Sequence, residues 1–449
     1  EFAVKQLTAL AEDILPAPDV FTDYTDTNGT WRTLDSDGTY EDNSVWTSGM
    51  VCGQYWYLFS YTEEEYWQTT AEACTAGMNG TQFADDNDVG FQVFNSYGLG
   101  YKLTGNADYK KQVITGAQTL YDIRYDGKIP AYWSWANPSR RPDWDRAVNV
   151  DMMMNLEIVL WSVENGGNES WTEAAAGHAD TTWKDIVRDD NSTYHVADYD
   201  NSTGVLVDKG TYQGAFDEST WSRGQAWATY GYIMTHRFIP DGPYLTYAEG
   251  LLQYFDDNND EDHIPPADFE AERNASNPKD SSSTVIVASA LFEMFHMTED
   301  PVHLELAILY LKSALQPTYY EPDADDGWQS ILRRASSAYD SPEVGAVFGD
   351  YFCIESMMRY NAMAPSILLR EPDDDAHDIV VAGAIYSAEY LVDTDFSRMS
   401  ASSDVSVWYG ITLTSTGTLP TGFEVESEGG ICTAAIYEPA GGWKVGKNT

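Results

Sequence analysis

An aspartate stands at the head of a strongly apolar stretch, Val148-Asn149-Val150-Asp151-Met152-Met153-Met154-Asn155-Leu156. The apolar periodicity predicts a helix over residues 150–163, which Asp151 would open. Apolar and aromatic surroundings keep a carboxylic acid protonated near neutral pH. Here the methionines beside Asp151 and the preceding Tyr132-Trp133-Ser134-Trp135 could supply them. Aspartate is also a common N-cap, in which case its carboxylate would only accept hydrogen bonds from the first turn. Asp151 therefore has two interpretations, a general acid or a helix cap.

Two further charged residues stand at predicted helix starts. Asp88 precedes Val-Gly-Phe and lies beside Asp85 and Asp86, and it too is either an N-cap or a member of an acid/base pair. Arg223 lies within Trp221-Ser222-Arg223-Gly224-Gln225-Ala226-Trp227, where aromatic faces accompany a guanidinium fork suited to a carboxylate. Packing of this arginine on core tryptophans is the alternative. Asp88 and Asp151 lie in different surroundings and would therefore have different pKa values. Such a difference is needed when one carboxyl group acts as the acid/base residue and the other stays ionised.

Periodicity at 3.6 residues runs to about residue 361 and predicts twelve helices. Glycine, asparagine and proline mark many of their ends. Links inside each pair of helices are short, whereas most links between pairs are longer and rich in Trp, Tyr, Asp and Gly. Six such hairpins predict a mainly α fold, an (α/α)6 barrel whose long loops share one rim. The predicted helices lie near residues 3–15, 48–60, 65–79, 89–104, 107–124, 150–163, 169–188, 222–238, 243–256, 281–297, 301–315 and 346–361.

The inner helices of such a barrel run in one direction, so their N-termini meet at one end. Free amides and dipole ends favour an anion there. The even-numbered helices open on polar and aromatic residues that would line one cavity. These openings read Trp46-Thr47-Ser48-Gly49, Asp88-Val89-Gly90-Phe91, Asp151-Met152-Met153-Met154, Trp221-Ser222-Arg223-Gly224, Asp280-Ser281-Ser282-Ser283 and Gly349-Asp350-Tyr351.

Two regions have strand patterns. Residues 194–199 and 204–207 predict a β-hairpin between the seventh and eighth helices, and it carries His195. A lone loop histidine is commonly a surface residue, although this one could also reach the rim. An acidic linker follows residue 365, and alternating apolar runs come after it. We therefore predict a barrel domain over residues 1–365 and a β-rich extension over 366–449 that packs on it.

Charge and composition limit the function. The formal net charge of −47 argues against nucleic acid or an anionic membrane surface as a partner. The chain has 15 Trp and 30 Tyr, and such rings stack well on sugars. There is no His-rich or Cys-rich ligand spacing and no P-loop, so neither a metal nor another cofactor is expected.

The chain shows signs of an extracellular protein. No apolar run approaches the length of a membrane span. Four widely spaced cysteines allow disulfides, although a buried free thiol is equally compatible with Cys52 and Cys353. Six Asn-x-Ser/Thr sequons favour a secreted glycoprotein. They begin at Asn28, Asn79, Asn168, Asn191, Asn201 and Asn274.

Taken as a set, these blocks resemble the unsaturated glucuronyl hydrolases of glycoside hydrolase family 88, over roughly residues 25 to 361. The resemblance implies an (α/α)6 barrel that acts on oligosaccharides left by polysaccharide lyases, with a C4=C5 unsaturated uronic acid at the non-reducing end. In that family an acid protonates C4, water adds at C5, and the resulting hemiketal collapses. The matching blocks are Trp46-Thr-Ser-Gly, Asn87-Asp88-Val-Gly-Phe, Val150-Asp151-Met-Met-Met-Asn-Leu, His195, Tyr212-Gln213-Gly, Trp221-Ser-Arg-Gly-Gln-Ala-Trp, Asp280-Ser-Ser and Gly349-Asp350-Tyr351.

The resemblance also implies residue roles. Asp151 is implied to be the general acid/base, and Asp88 the second essential carboxylate, which orients substrate or water. Two positions depart from the family: Asn87 stands where histidine is common, and Met50 where an aromatic residue is usual. The expected substrate-binding residues are Trp46, Asn87, Trp133, Trp135, His195, Gln213, Trp221, Arg223 and Trp227.

The sequence is also compatible with three alternatives to an unsaturated glucuronyl hydrolase. An unsaturated rhamnogalacturonyl hydrolase would share the barrel and the hydration, but the Trp221–Trp227 block favours the glucuronyl branch. Asp85-Asp86 matches an adjacent pair found in α-1,6-mannan-acting enzymes on this architecture, which would attack the anomeric carbon. A non-catalytic sugar-binding barrel would have no need for both Asp88 and Asp151.

Overall fold

The computed structural model describes residues 1–14, 20–33, 42–324 and 326–363, and the backbone of six strands beyond residue 365. The chain forms two compact units, Glu1–Met358 and Arg359–Thr449. The first unit therefore ends inside the last helix, a few residues before the predicted boundary at 365. Packing of the extension on the barrel stays a prediction.

The described part of the first unit contains all twelve predicted helices, at nearly the predicted positions. The fourth is irregular, because a π-helical segment, Gly90–Gly98, leads directly into its α-helical part. Wide turns of this kind are frequent at functional sites. The helices are α1 Phe2–Ile14, α2 Ser48–Thr62, α3 Glu65–Gly77, α4 Leu99–Thr104, α5 Ala107–Arg124, α6 Met152–Glu164, α7 Ser170–Asp185, α8 Ser222–Phe238, α9 Tyr244–Asp257, α10 Ser281–Thr298, α11 Pro301–Ala314 and α12 Val347–Met363.

The even-numbered helices form a closed inner ring, as an (α/α)6 barrel requires. Gln54 on α2 donates to the carbonyl oxygen of Val347 on α12 (3.3 Å), so the last helix meets the first of the ring. Ser356 on α12 donates to the carbonyl oxygen of Val285 on α10 (3.1 Å). The remaining neighbours meet through Gly49 and Gln92, Phe91 and Asn155, Gly231 and Met153, and Ser222 and Ser283.

A buried carboxylate ties the ring together at its centre. Glu355 on α12 accepts hydrogen bonds from Tyr57 of α2 (2.7 Å), Tyr230 of α8 (2.9 Å) and Ser289 of α10. Burial of a carboxylate is tolerated when its lone pairs are satisfied in this way. Four inner helices are thus joined through one side chain.

A small sheet brings two distant segments of the rim together. The predicted hairpin is present as β4 (Val196–Tyr199) and β5 (Leu206–Gly210). The preceding strand β3 (Arg146–Asn149), which the sequence pattern did not predict, pairs with β4. The amide of Val150 then donates to the carbonyl oxygen of His195 (2.9 Å), so the start of α6 lies beside the hairpin. The strands of the first unit are β1 Tyr125–Asp126, β2 Ala131–Tyr132, β3 Arg146–Asn149, β4 Val196–Tyr199, β5 Leu206–Gly210, β6 Ala335–Ser336 and β7 Glu343–Val344.

The second unit contains strands, as predicted for this region. Four of them form a sheet in the order β10-β11-β13-β12, and β8 pairs with β9. The alternating run predicted near residues 405–413 contains β11, and its flanking residues lie outside the described part. The strands are β8 Ser366–Leu369, β9 Ile379–Ala382, β10 Phe396–Ala401, β11 Val407–Ile411, β12 Phe423–Glu428 and β13 Ile431–Ile436.

A disulfide joins Cys52 on α2 to Cys74 on α3, whereas Cys353 is a buried free thiol. The bond spans 22 residues of sequence. We expect the double variant Cys52→Ala/Cys74→Ala to lose about 2–4 kcal/mol of unfolding free energy, since a cross-link of this span restricts the unfolded chain. Urea denaturation without reductant measures this loss. Reductant should then destabilise the wild type and leave the variant unchanged; equal stability of the two proteins would contradict the prediction.

No helix in the described part of the chain combines the length and the apolar character needed to span a membrane.

Candidate active site

The carboxylate of Asp151 does not cap its helix. Asp151 has helical backbone angles, and its side chain accepts no hydrogen bond from the first turn of α6. Asn149 takes that place, because its Oδ1 accepts from the amide of Met152 (3.2 Å). Asn149 also donates from Nδ2 to Asp151 Oδ2 (3.4 Å). The Asp151 side chain is 15% exposed, and within the described residues its Oδ1 has no hydrogen-bond partner. The carboxylate is therefore available to a ligand.

His195 is a buried neighbour of this carboxylate. Its Nε2 lies 3.9 Å from Asp151 Oδ2. Its Nδ1 accepts from the amides of Tyr212 (3.1 Å) and Gln213 (3.3 Å), which places the proton of the neutral ring on Nε2. The histidine ring packs on Trp221, with centroids 4.7 Å apart. A surface position for His195 is therefore wrong, and its free N–H faces the acid.

Asp88 is held close to Asp151 by the same helix. Asn155, one turn after Asp151 on α6, donates from Nδ2 to Asp88 Oδ1 (3.0 Å). Its Oδ1 accepts from the amide of Phe91 (2.9 Å), which fixes the orientation of the amide group. Asn155 occurs in the sequence block that singles out Asp151, and its i, i+4 spacing from that residue was the available signal. Its role was not predicted.

The pKa of Asp88 is raised well above the usual carboxyl range. Burial is the largest cause, and the negative charges of Asp86 and Asp151 add to it, whereas the hydrogen bond from Asn155 and the charge of Arg124 oppose it. Burial and the neighbouring negative charges therefore favour the protonated form of Asp88.

Arg124, at the end of α5, joins the segment before Asp88 to the loop after β2, and no sequence pattern pointed to it. Its guanidinium pairs with Asp85 Oδ1 (2.8 Å) and donates to the carbonyl oxygen of Ser134 (2.7 Å). It also lies 4.2 Å from the ring centre of Trp133, and Arg146 lies 4.3 Å from the same ring. The Trp133 ring therefore stacks on the guanidinium groups of Arg124 and Arg146, which accounts for its position in the structure.

Arg223 is turned towards the protein. Its guanidinium stacks on Trp221 (4.4 Å to the ring centre) and is 1% exposed. Its terminal nitrogens donate to the carbonyl oxygens of Ser336 and Ser337, and one lies 3.4 Å from Asp280. The Arg223 guanidinium, which was expected to bind a ligand carboxylate, therefore binds backbone carbonyl oxygens at the end of β6 and just after it. Gln213 Nε2 donates to the same Ser337 oxygen (3.0 Å).

Several buried polar atoms near the acids have no hydrogen-bond partner among the described residues. Buried donors and acceptors are almost always paired, so a group of unpaired ones indicates a ligand rich in oxygen. The unpaired donors and the acceptor are His195 Nε2, Trp221 Nε1, Arg223 Nε, Asn87 Nδ2 and Asp151 Oδ1.

Aromatic rings connect the helix starts. Trp46 stacks on Phe348 with centroids 5.2 Å apart and meets Phe91 at 5.5 Å. Trp227 is 1% exposed and packs on Phe91 and Phe352, so it lies in the core that supports the site. Trp46 is half-buried and can form part of a ligand-facing wall.

No group of three or more His, Cys, Asp or Glu side chains in the described part of the chain is arranged to hold a metal ion.

No family model matches the chain. An unsaturated glucuronyl hydrolase of Formosa agariphila is 33% identical to it over 320 residues, which cover 70% of this chain and 79% of the relative. This chain belongs to the unsaturated glucuronyl hydrolase family. The family places it among the glycosidases, as the sequence blocks implied.

Solved structures of this family share the fold. One, described as an unsaturated glucuronyl hydrolase specific for heparin, has a TM-score of 0.71 and 30% identity, and the match covers 80% of this chain and 94% of that one. The enzyme of Bacillus sp. GL1, described as responsible for the degradation of glycosaminoglycan, has a TM-score of 0.71, 26% identity and coverages of 80% and 96%. The (α/α)6 barrel inferred from helix spacing is confirmed.

Proposed function

We propose that this enzyme removes a 4,5-unsaturated uronic acid from the non-reducing end of oligosaccharides produced by polysaccharide lyases. The observation that carries the proposal is a pair of unlike carboxyl groups tied to one helix. Asp151, whose side chain is 15% exposed, lies beside His195 Nε2, and Asp88, held by Asn155, has a raised pKa. Two neighbouring carboxyl groups in unlike surroundings are the parts that an acid/base-catalysed hydration needs.

The proposed chemistry begins with a vinyl ether. The general acid, assigned to Asp151, transfers its proton to C4 while a water oxygen bonds to C5, and the water proton passes to the carboxylate left behind. The product is a hemiketal at C5. Its ring opens to a ketone, and the exposed hemiacetal at C1 then expels the remaining sugar as an alcohol. Asp88, whose raised pKa favours its neutral form, orients the water or the sugar and in that form adds no negative charge beside the uronate.

The unpaired donors near the acids support an acidic ligand. The N–H groups of His195, Trp221 and Arg223 have no partner in the described protein, and a uronate supplies carboxylate and hydroxyl oxygens. These donors can offset the repulsion that a chain of net charge −47 exerts on an anion. The fold-related enzyme specific for heparin acts on a ligand of this charge type.

The decisive test follows the double bond itself. Hydration of an unsaturated uronate removes its absorbance near about 235 nm, so the signal should fall when the enzyme meets a lyase-generated disaccharide. Retention of the full absorbance with every lyase product tried would overturn the proposal. A panel with different second sugars also separates this activity from an unsaturated rhamnogalacturonyl hydrolase.

The mannan alternative finds less support. Asp85 pairs with Arg124 (2.8 Å), and Asp86 Oδ1 accepts from the amide of Asp88 (3.1 Å). Both carboxylates of the adjacent pair are thus bound to the protein. An enzyme acting on mannan would cleave its substrate and leave the absorbance of an unsaturated disaccharide unchanged.

We also propose that the enzyme is a secreted glycoprotein. The bond between Cys52 and Cys74 is typical of oxidising compartments. The sequon asparagines Asn28, Asn79 and Asn168 are exposed and accessible to glycosylation. Protein recovered from the culture medium of its source should lose mass on treatment with an N-glycan-releasing amidase. Purely intracellular protein of unmodified mass would contradict this proposal without affecting the catalytic one.

A further inference from the structure

A series of rings leads outward from the acid pair. Trp135 meets His195 edge-on with centroids 5.8 Å apart, and Tyr212 packs on Trp135 at 5.1 Å. The guanidinium of Arg140 lies 5.2 Å from the ring centre of Tyr212. Exposure increases along the series, since His195 is buried, Trp135 and Tyr212 are half-buried, and Arg140 is exposed. The series therefore connects the neighbourhood of Asp151 with solvent.

The loop that carries Arg140 is fixed in place. Arg141, the next residue, pairs with Asp208 (2.7 Å) and Asp217 (2.8 Å), and Trp144 is buried beneath the loop. Arg140 itself donates from Nη1 to the carbonyl oxygen of Tyr212 (3.4 Å). Its position relative to Tyr212 is thus set by the fold.

Arg140 differs from Arg141 in its charge balance. Within the described residues, no carboxylate forms an ion pair with Arg140, whereas Arg141 has three carboxylate neighbours. The net charge of the chain is −47, so an uncompensated guanidinium at the exposed end of the ring series is a local exception to the surrounding field. Its remaining N–H groups suit the oxygens of a carboxylate or a sulfate.

We propose that Arg140, Tyr212 and Trp135 form a subsite for the sugar next to the terminal uronate, and that Arg140 binds an anionic substituent there. This inference rests on the proposed function. The uronate at the non-reducing end of the oligosaccharide must reach the acid pair, so the rest of the oligosaccharide extends towards solvent. The ring series offers that path, with aromatic faces for a sugar ring and a cation at its outer end. A sulfate and a second carboxylate have the same chemistry towards this arginine.

The test compares three substrates that share the terminal unsaturated uronate. The second sugar is uncharged in the first substrate, sulfated in the second and itself a uronate in the third. The Arg140→Gln variant should lose about fivefold to tenfold in kcat/KM on one or both charged substrates and less than about twofold on the uncharged one. Arg140→Lys should recover part of the loss. Lys111→Gln, which removes an exposed charge from the outer helix α5, is the matched control and should change nothing.

The possible outcomes separate the two proposals. Activity of the wild type on the uncharged substrate reports the proposed function, whatever Arg140 does. A loss of activity in Arg140→Gln that is equal for all three substrates, or no loss, would overturn the subsite. A loss confined to the sulfated or to the carboxylated substrate supports it and identifies the anion. A loss of the same size in Lys111→Gln would assign the effect to overall charge and overturn it as well.

Discussion

Asp151→Asn should lower kcat on an unsaturated uronate disaccharide by about 10³-fold, the scale that general acid/base catalysis contributes. Asparagine keeps the size of the side chain and can still face His195, but it carries no transferable proton. The substrate should therefore still bind, with a dissociation constant within about threefold of the wild-type value. Tryptophan fluorescence measures the binding, since Trp221 packs against the histidine beside the acid. Absorbance measures turnover.

A matched substitution makes the result interpretable. Asp189→Asn applies the same chemical change to an exposed carboxylate and should leave turnover intact. The melting temperature of Asp151→Asn should stay close to the wild-type value, because within the described residues Asp151 accepts a single, long side-chain hydrogen bond, from Asn149. Substantial residual turnover in a folded Asp151→Asn protein would remove Asp151 from the general acid role.

Much of the barrel could be predicted because its signals are local. Each predicted helix repeats an apolar pattern over at least three turns, and most turns between paired helices contain or adjoin glycine or proline. The one helix with an unusual form, at Gly90–Gly98, has an ordinary sequence pattern and was predicted as an α-helix. Its π-helical turns place the amide of Phe91 beside Asn155 Oδ1 on α6. This is a tertiary contact, and the apolar periodicity of the sequence cannot predict it.

The site was less predictable, since its chemistry depends on distant neighbours. Asn149 caps α6 in place of Asp151 because strand β3 precedes the helix, and β3 is defined by pairing with β4 about fifty residues later. The raised pKa of Asp88 likewise depends on the packing around it and on two other carboxylates. A sequence identifies acids at helix starts, but the neighbours that raise the pKa of Asp88 come together only in the assembled barrel.

The Asp88→Asn substitution should lower kcat/KM by about 10²-fold or more, the lower part of the range for acid/base groups. The amide can still donate a hydrogen bond to a bound sugar, but it cannot exchange a proton with its surroundings. The wild-type kcat/KM should fall as pH rises through the raised pKa of Asp88, because the ionised group would repel the uronate. Residual activity of the variant should lack this alkaline decline. A wild-type rate that still rises at about pH 9 would contradict the assignment.

Stability gives an independent measurement with a definite sign. The pKa of Asp88 is higher in the folded protein than in the unfolded chain, so the folded state binds this proton more tightly. The resulting stabilisation is fully present below the ordinary carboxyl range of about pH 4 and is lost as pH rises through the folded-state pKa. Asp88→Asn has no such loss. Its unfolding free energy relative to the wild type should therefore increase from about pH 4 towards neutral pH, and a constant difference would contradict the raised pKa.

Asp86→Asn distinguishes burial from charge as the origin of this behaviour. Asp86 is among the negative neighbours that raise the pKa of Asp88, and its Oδ1 accepts the Asp88 amide. Asparagine can still accept that hydrogen bond, so the backbone should stay in place while one negative charge is removed. The alkaline decline of kcat/KM should then move to lower pH and persist in part, because burial remains the larger cause. A decline that does not move would assign the raised pKa to burial and to Asp151, and a decline that moves to higher pH would contradict the electrostatic account.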